Sequence, residues 1–167
     1  GLTHSISLTG SSLSIKDNLT IEGTNAITIK DDSPSLVFEI GTGVTATIKG
    51  LTITNSYKQR DGGGAIFNEG VLTLSHSTIT GNTSNRPGGG IWNLGSLIVN
   101  YSTISHNSAI EDFGSHTAIG GGIYNAGTLS VNNSTISDNY SEDNGGGIYN
   151  VAGTLSVTNS IISHNTA

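Results

Sequence analysis

The chain has no cysteine, no methionine, only two prolines and only six lysines and arginines against twelve acidic residues. Without cysteine there is neither a disulfide framework nor a thiolate metal site. Without methionine, Gly1 is not a translation start, and a processed product or a piece of a longer chain is expected. The basic residues do not cluster, so the patch that phosphate contacts need is missing, and nucleic acid is not an expected partner. No apolar run approaches the ~18 residues of a membrane-spanning segment. Charged residues make up only 11% of the chain, which argues against a solvated disordered segment. The polarity comes instead from Ser, Thr and Asn, punctuated by 24 glycines, a profile that suits short strands joined by tight turns.

Against that background one phrase recurs. Gly64-Ala65-Ile66-Phe67-Asn68 returns as Gly90-Ile91-Trp92-Asn93, Gly122-Ile123-Tyr124-Asn125 and Gly147-Ile148-Tyr149-Asn150. Registered on the Asn, the intervals are 25, 32 and 25 residues. The longer interval carries an insertion within Ile110–Thr117, because Asn107 to Gly120 is longer than the equivalent Asn82 to Gly88 and Asn139 to Gly145. A period of this size signals a stacked repeat, and insertions in such a stack project as loops.

Within each unit the apolar residues alternate, which is strand periodicity. The glycine-rich strand supplies Ile66, Ile91, Ile123 and Ile148. A second supplies Leu72/Leu74, Leu97/Val99, Leu129/Val131 and Leu155/Val157, and a third Ile79, Ile104, Ile136 and Ile162. The expected fold is all-β: a single right-handed parallel β-helix with three short strands per turn of about 25 residues. It is read as one domain over residues 1–167. Residues 1–60 form degenerate N-terminal turns, with Ile6/Leu8, Leu13/Ile15, Leu19/Ile21, Ile27/Ile29, Val37, Ile40, Ile48 and Leu51/Ile53 as strand cores. Residues 61–167 form the glycine-rich repeats with the 110–117 loop.

The pattern Gly-Gly-Gly-Ile-Tyr-Asn, followed by Gly-Thr-Leu-x-Val-x-Asn-Ser-x-Ile-Ser-x-Asn, resembles that of bacterial right-handed parallel β-helix surface proteins. It is also similar to the Gly-Gly-Ala-Ile and Phe-x-x-Asn repeats of the chlamydial polymorphic outer-membrane family. The resemblance covers about residues 44–167 well and the N-terminal part more loosely. It implies an exported, secreted or cell-surface protein of autotransporter-passenger type, several of which act as adhesins. Pectin-degrading enzymes and inert stalks share the fold, so the resemblance speaks to architecture before function.

Five sets of residues are candidates for a role. Asn68, Asn93, Asn125 and Asn150, and separately Asn82, Asn107, Asn139 and Asn165, fall at equal positions of stacked turns about 4.8 Å apart. Each amide can then donate to one neighbour and accept from the other, so both sets are read as structural ladders. Phe67, Trp92, Tyr124 and Tyr149 lie between inward Ile and inward Asn and must face outward as an aromatic stripe. Mutual stacking is the favoured reading of the stripe, and a ligand-binding platform for glycan or protein is the alternative. His106, Asp138 and His164, with Gly81, form a column that is read as exposed turn residues, with a Zn- or Ni-type site as the alternative. An outer file of Thr52/Thr54, Thr78/Thr80, Thr103/Ser105 and Thr135/Ser137 is read as a solvated strand face.

No catalytic constellation emerges. The adjacent acids Asp31-Asp32, Glu111-Asp112 and Glu142-Asp143 fall in turns or the insertion, as do Arg60 and Arg86. The expectation is a non-enzymatic structural or adhesive rod, without cofactor or resident metal. It would meet glycans, host or matrix surfaces, or like subunits end to end. The alternative is a polysaccharide-binding or -degrading (lyase- or hydrolase-like) β-helix fragment.

Overall fold

The structure, a computed structural model, describes residues 4–58, 63–111 and 118–167. Among these residues the regular structure is entirely β-strand, paired in parallel as a β-helix. One turn serves for all. Strands Ile66–Asn68, Val71–Ser75, Thr78–Thr80 and Thr83–Ser84 follow one another around the helix axis. Each then pairs with its equivalent one repeat later. Ile66 lies on Ile91 and Ile91 on Ile123; Leu72 on Leu97 and Leu97 on Leu129; Ile79 on Ile104 and Ile104 on Ile136. The three expected strands per turn are present. A fourth, of two residues, follows them as Thr83–Ser84, Ser108–Ala109 and Tyr140–Ser141. It is too short to show an alternation in sequence.

The strands form sheets of eleven, six and four members. The largest contains two strands of each later turn because Thr45–Thr54 is one continuous strand. Its first half pairs with Val71–Ser75 and its end with Thr78–Thr80. In later turns that strand is interrupted by a corner residue with left-handed backbone: His76, Tyr101, Asn133 and Asn159, at φ 50, 50, 49 and 49°. A second corner places Asn55, Gly81, His106, Asp138 and His164 at φ between 54 and 66°. Left-handed backbone costs an ordinary L-residue roughly 1–2 kcal/mol, and Gly, Asn and Asp accept it most readily. The corner columns are thus rich in those residues for a backbone reason.

The inward-facing Ile, Leu and Val of the middle turns are fully buried and form one continuous core with Phe38, Ile40 and Ile48. Each such side chain contributes about 1.5–3 kcal/mol through burial. Three N-terminal residues expected in that core are exposed, and Leu8, Ile21 and Ile27 are only partly buried. Ile6 is 51% exposed, and Leu13 and Leu19 are also exposed. They belong to the first turn, which has a neighbour on one side only. Leu155, Val157 and Ile162 are exposed in the last turn for the same reason, although each is in register with a buried residue below it.

Polar ladders run beside the apolar core. Asn68 Nδ2 donates to Asn93 Oδ1 at 2.7 Å, Asn93 to Asn125 at 2.6 Å and Asn125 to Asn150 at 2.5 Å. Asn82 donates to Asn107 at 2.9 Å, Asn107 to Asn139 at 3.0 Å and Asn139 to Asn165 at 2.9 Å. In the second ladder the Oδ1 of Asn107, Asn139 and Asn165 also accepts the backbone N–H of the Asn below, as Asn107 Oδ1 does from Asn82 N. Ser56 extends it one turn toward the N-terminus by donating to Asn82 Oδ1. A third, buried row of Ser77, Ser102 and Ser134 was not foreseen. Each Oγ donates to the carbonyl two residues earlier and accepts the N–H of the serine one turn below, or of Leu51 in the case of Ser77.

The glycines serve this close stacking. Gly88 takes φ 77°, and a Cβ at Gly89 would lie 2.4 Å from Gly121 O and from Ser108 C. One position on, a Cβ at Gly90 would lie 2.7 Å from Gly122 O and 3.1 Å from the Asn107 amide, so this glycine makes room for both the next turn's backbone and the ladder. The equivalent residue one turn earlier is the buried Ala65. Gly89→Ala is therefore expected to lower the melting temperature more than Gly90→Ala. Asn107→Ala should cost on the order of 2–4 kcal/mol, because it strands polar groups above and below and leaves a cavity. Chemical denaturation of each variant measures these differences; an Asn107→Ala protein as stable as wild type would contradict the ladder's role.

Candidate functional site

The aromatic stripe is built by the glycine-side strands. In Ile66–Asn68, Ile91–Asn93, Ile123–Asn125 and Ile148–Asn150, Ile and Asn turn inward and the central ring turns out. Phe67, Trp92, Tyr124 and Tyr149 are in strict register, each half-buried. Phe67 and Trp92 meet edge to face at 5.5 Å and 74°, and Trp92 and Tyr124 at 5.6 Å and 83°. Tyr124 and Tyr149 lie nearly parallel at 5.9 Å and 13°. The rings span three turn spacings, about 14 Å. Below Phe67 the file continues into Glu39 and Ser14, which end the aromatic surface.

These contacts give the stripe a structural role, since aromatic pairs of this geometry stabilise by about 0.5–1.5 kcal/mol each beyond area burial. They leave one loose end. Trp92 Nε1 is buried without a hydrogen-bond partner, an arrangement that costs the folded state. The Tyr124–Tyr149 end is the flat part of the stripe and carries two phenolic hydroxyls.

The other candidates fall elsewhere. His106, Asp138 and His164 sit at the second left-handed corner, all exposed. Among the described residues no group of three or more His, Cys, Asp or Glu side chains converges where it could hold a metal ion. The Thr/Ser file lies on the outer surface of the third strand of each turn, with Ser105 Oγ donating to Thr80 Oγ1 at 3.3 Å. The acids have turn duties. Asp31 is buried and accepts from Ser33 and Ser35, Asp32 pairs with Lys30 at 3.4 Å, and Asp143 accepts from the Ala118 N–H. Glu142 accepts from the Glu111 N–H at the start of the insertion. Arg60, and the 110–117 loop beyond Glu111, lie outside the described residues.

Sequence reading passed over one feature. His76 and Tyr101, in adjacent turns at the first corner, stack at 5.1 Å and 17°. Neither belongs to the glycine phrase, so the repeat did not draw attention to them. The available signal was their position in a column otherwise filled by Asn and Gly.

Burial holds the Tyr124 phenol above its ordinary value, and Tyr149 adds to this because two neighbouring phenolates repel. The unfolded chain loses that proton first, near pH 10. Tyr124 thus contributes full stability below about pH 10 and loses it as pH rises through the folded value. Tyr124→Phe should show a smaller fall in melting temperature than wild type between about pH 9 and about pH 11. An identical fall in both proteins would contradict the assignment.

The repeat of the Chlamydia polymorphic membrane protein matches residues 133–151, from the Asn133 corner through ladder residue Asn139 to Tyr149 and Asn150. No curated protein and no solved structure matches. With the strand stacking above, the chain is a parallel β-helix carrying a repeat similar to that of the chlamydial polymorphic membrane proteins.

Proposed function

We propose that this chain is a non-enzymatic, exported β-helix that stands at the cell surface and contacts glycans or surfaces through its side. The observation that carries the reading is the unbroken four-ring file Phe67–Trp92–Tyr124–Tyr149 on one outer face of a register-locked rod. A file of contiguous rings is the kind of surface that marks interaction sites, and sugars present apolar faces to such rings. The similarity of residues 133–151 to a repeat of membrane proteins supports a location in the cell envelope. The non-enzymatic reading is supported by the duties of the acids. Asp31 and Asp32 are engaged within their own turn, Glu142 and Asp143 hold backbone N–H groups of the turn before, and the two pairs fall in different turns.

End-to-end self-association is a second contact mode, favoured by the exposed apolar residues of both terminal turns: Ile6, Leu13 and Leu19 at one end and Leu155, Val157 and Ile162 at the other. Parallel strand edges there offer unpaired backbone groups to a further turn.

Wild type and Trp92→Ala compared on a glycan array test the lateral reading. Binding by wild type and its loss in the variant are expected, and equal binding or none at all would overturn it. Trp92 is the only tryptophan, so its fluorescence should shift on binding. Incubation with acidic polysaccharides should release no unsaturated uronate, whereas turnover would overturn the non-enzymatic reading. Sedimentation of Leu155→Lys should show less self-association than wild type. A monomeric wild type at high concentration would remove the end-to-end mode.

A further inference from the structure

His76 and Tyr101 occupy left-handed backbone at φ 50° in adjacent turns. At the same corner the other turns use Asn25, Gly50, Asn133 and Asn159, residue types that adopt this conformation with least strain. Histidine is also enriched in this conformation, so His76 is an ordinary choice, but a less strained choice is open at position 101 and is not taken. A bulky aromatic with positive φ is an outlier, and retained strain of this kind points toward a functional site.

The two rings do not bury themselves. They stack on each other, and Tyr101 remains 59% exposed. Ser75 Oγ lies 2.9 Å from His76 Nδ1 and holds the imidazole in place. Beside the rings is a cavity of about 280 Å³ whose walls include Asn25, Thr52, Thr78 and Thr103. That size is at the small end of ligand pockets. No Asp, Glu, Lys or Arg lines it. An adjoining groove shares Asn25 and His76 and contains Lys49 and Glu22, but these two charges pair with each other at 2.7 Å.

The wall chemistry selects the ligand. An anion would find no Lys or Arg, a cation no carboxylate, and a hydrocarbon few apolar walls. A ring with a C–H face and a rim of hydroxyls matches both parts: an exposed aromatic surface, and neutral hydroxyl and amide groups that both donate and accept. We propose that this corner binds a neutral hexopyranose unit of a glycan. The C–H face of the sugar would pack on Tyr101, with its hydroxyls bonded to the threonine hydroxyls and Asn25. The inference rests on the reading of the chain as a glycan-contacting rod, and places the sugar at the corner of the largest sheet, away from the glycine-side stripe.

The test uses the full chain and a panel of methyl hexopyranosides (gluco, galacto, manno and N-acetylglucosamine) with their short neutral oligomers. Binding is followed by saturation-transfer NMR and calorimetry for wild type, Tyr101→Asn, Tyr101→Phe, Thr78→Val and Trp92→Ala. Asparagine already occupies this corner in three turns, so Tyr101→Asn is expected to fold with a melting temperature at or above wild type. It should lose affinity by about tenfold or more, while Tyr101→Phe retains binding and Thr78→Val weakens it. Should Tyr101→Asn fail to fold, Thr78→Val decides, since it leaves the corner backbone untouched. Full binding by the deciding variant, or no binding of any panel member to wild type, overturns the proposal. Loss in Trp92→Ala with full binding in Tyr101→Asn would leave the stripe reading standing and remove the corner. The opposite pattern would support the corner and remove the stripe.

Discussion

Every level of this structure depends on one turn of chain lying on the next at strand spacing and in a single register. Backbone hydrogen bonds between parallel strands set the spacing but do not by themselves fix the register. Buried side-chain amides do. Asn82, Asn107, Asn139 and Asn165 each receive or donate a bond to the same residue type one turn away, and their amides also reach backbone carbonyls such as Ile79 O and Ile104 O. A slip of one residue would place those amides on the solvent face and the alternate residues in the core. It would also leave buried carbonyls unpartnered, at a cost of about 1–3 kcal/mol per group. The apolar columns supply the bulk of the stabilisation, and the Asn and Ser columns supply its specificity.

That division of labour limits where recognition can occur. Inward positions are committed to the core or the ladders. The glycine columns are committed to close approach of one turn on the next. What remains is the outer position of each strand and the corner residues between strands. The stripe Phe67–Trp92–Tyr124–Tyr149 is an outer-position feature, and the His76–Tyr101 pair is a corner feature. They sit on different sheets, so a rod of this design can present two chemically distinct sides at once.

Much of the architecture was legible because each repeat writes the same rule again. The Ile of the glycine phrase, the Leu-x-Val pair and the Ser-x-Ile strand are in the register that their spacing gives. Less was legible where a residue's environment depends on what lies above it. Leu13 and Leu155 follow the inward pattern, yet lie exposed because they occupy terminal turns. The short strand Thr83–Ser84 carries no alternation to read. The serine row Ser77, Ser102 and Ser134 was visible as a repeated letter, but serine is common in this chain and its burial is set by the corner before it. The second corner likewise explains His106, Asp138 and His164. Their alignment in sequence reads as exposed turn residues with a metal site as the alternative, and the property they share is a left-handed backbone. The site residues were legible only in part for a related reason. Periodicity marks the outward rings of the repeat, but Tyr101 and His76 stand out only once the φ of their column is known.

The claim that buried amide ladders lock the register is tested most directly by hydrogen exchange of the asparagine side chains. By NMR, the Nδ2 protons of Asn68, Asn93, Asn82, Asn107 and Asn139 should exchange as slowly as the backbone amides of the middle turns, because release requires the stack to open. The exposed Asn18 provides the fast reference. Ladder amides exchanging at the rate of Asn18 while the backbone stays protected would contradict the account.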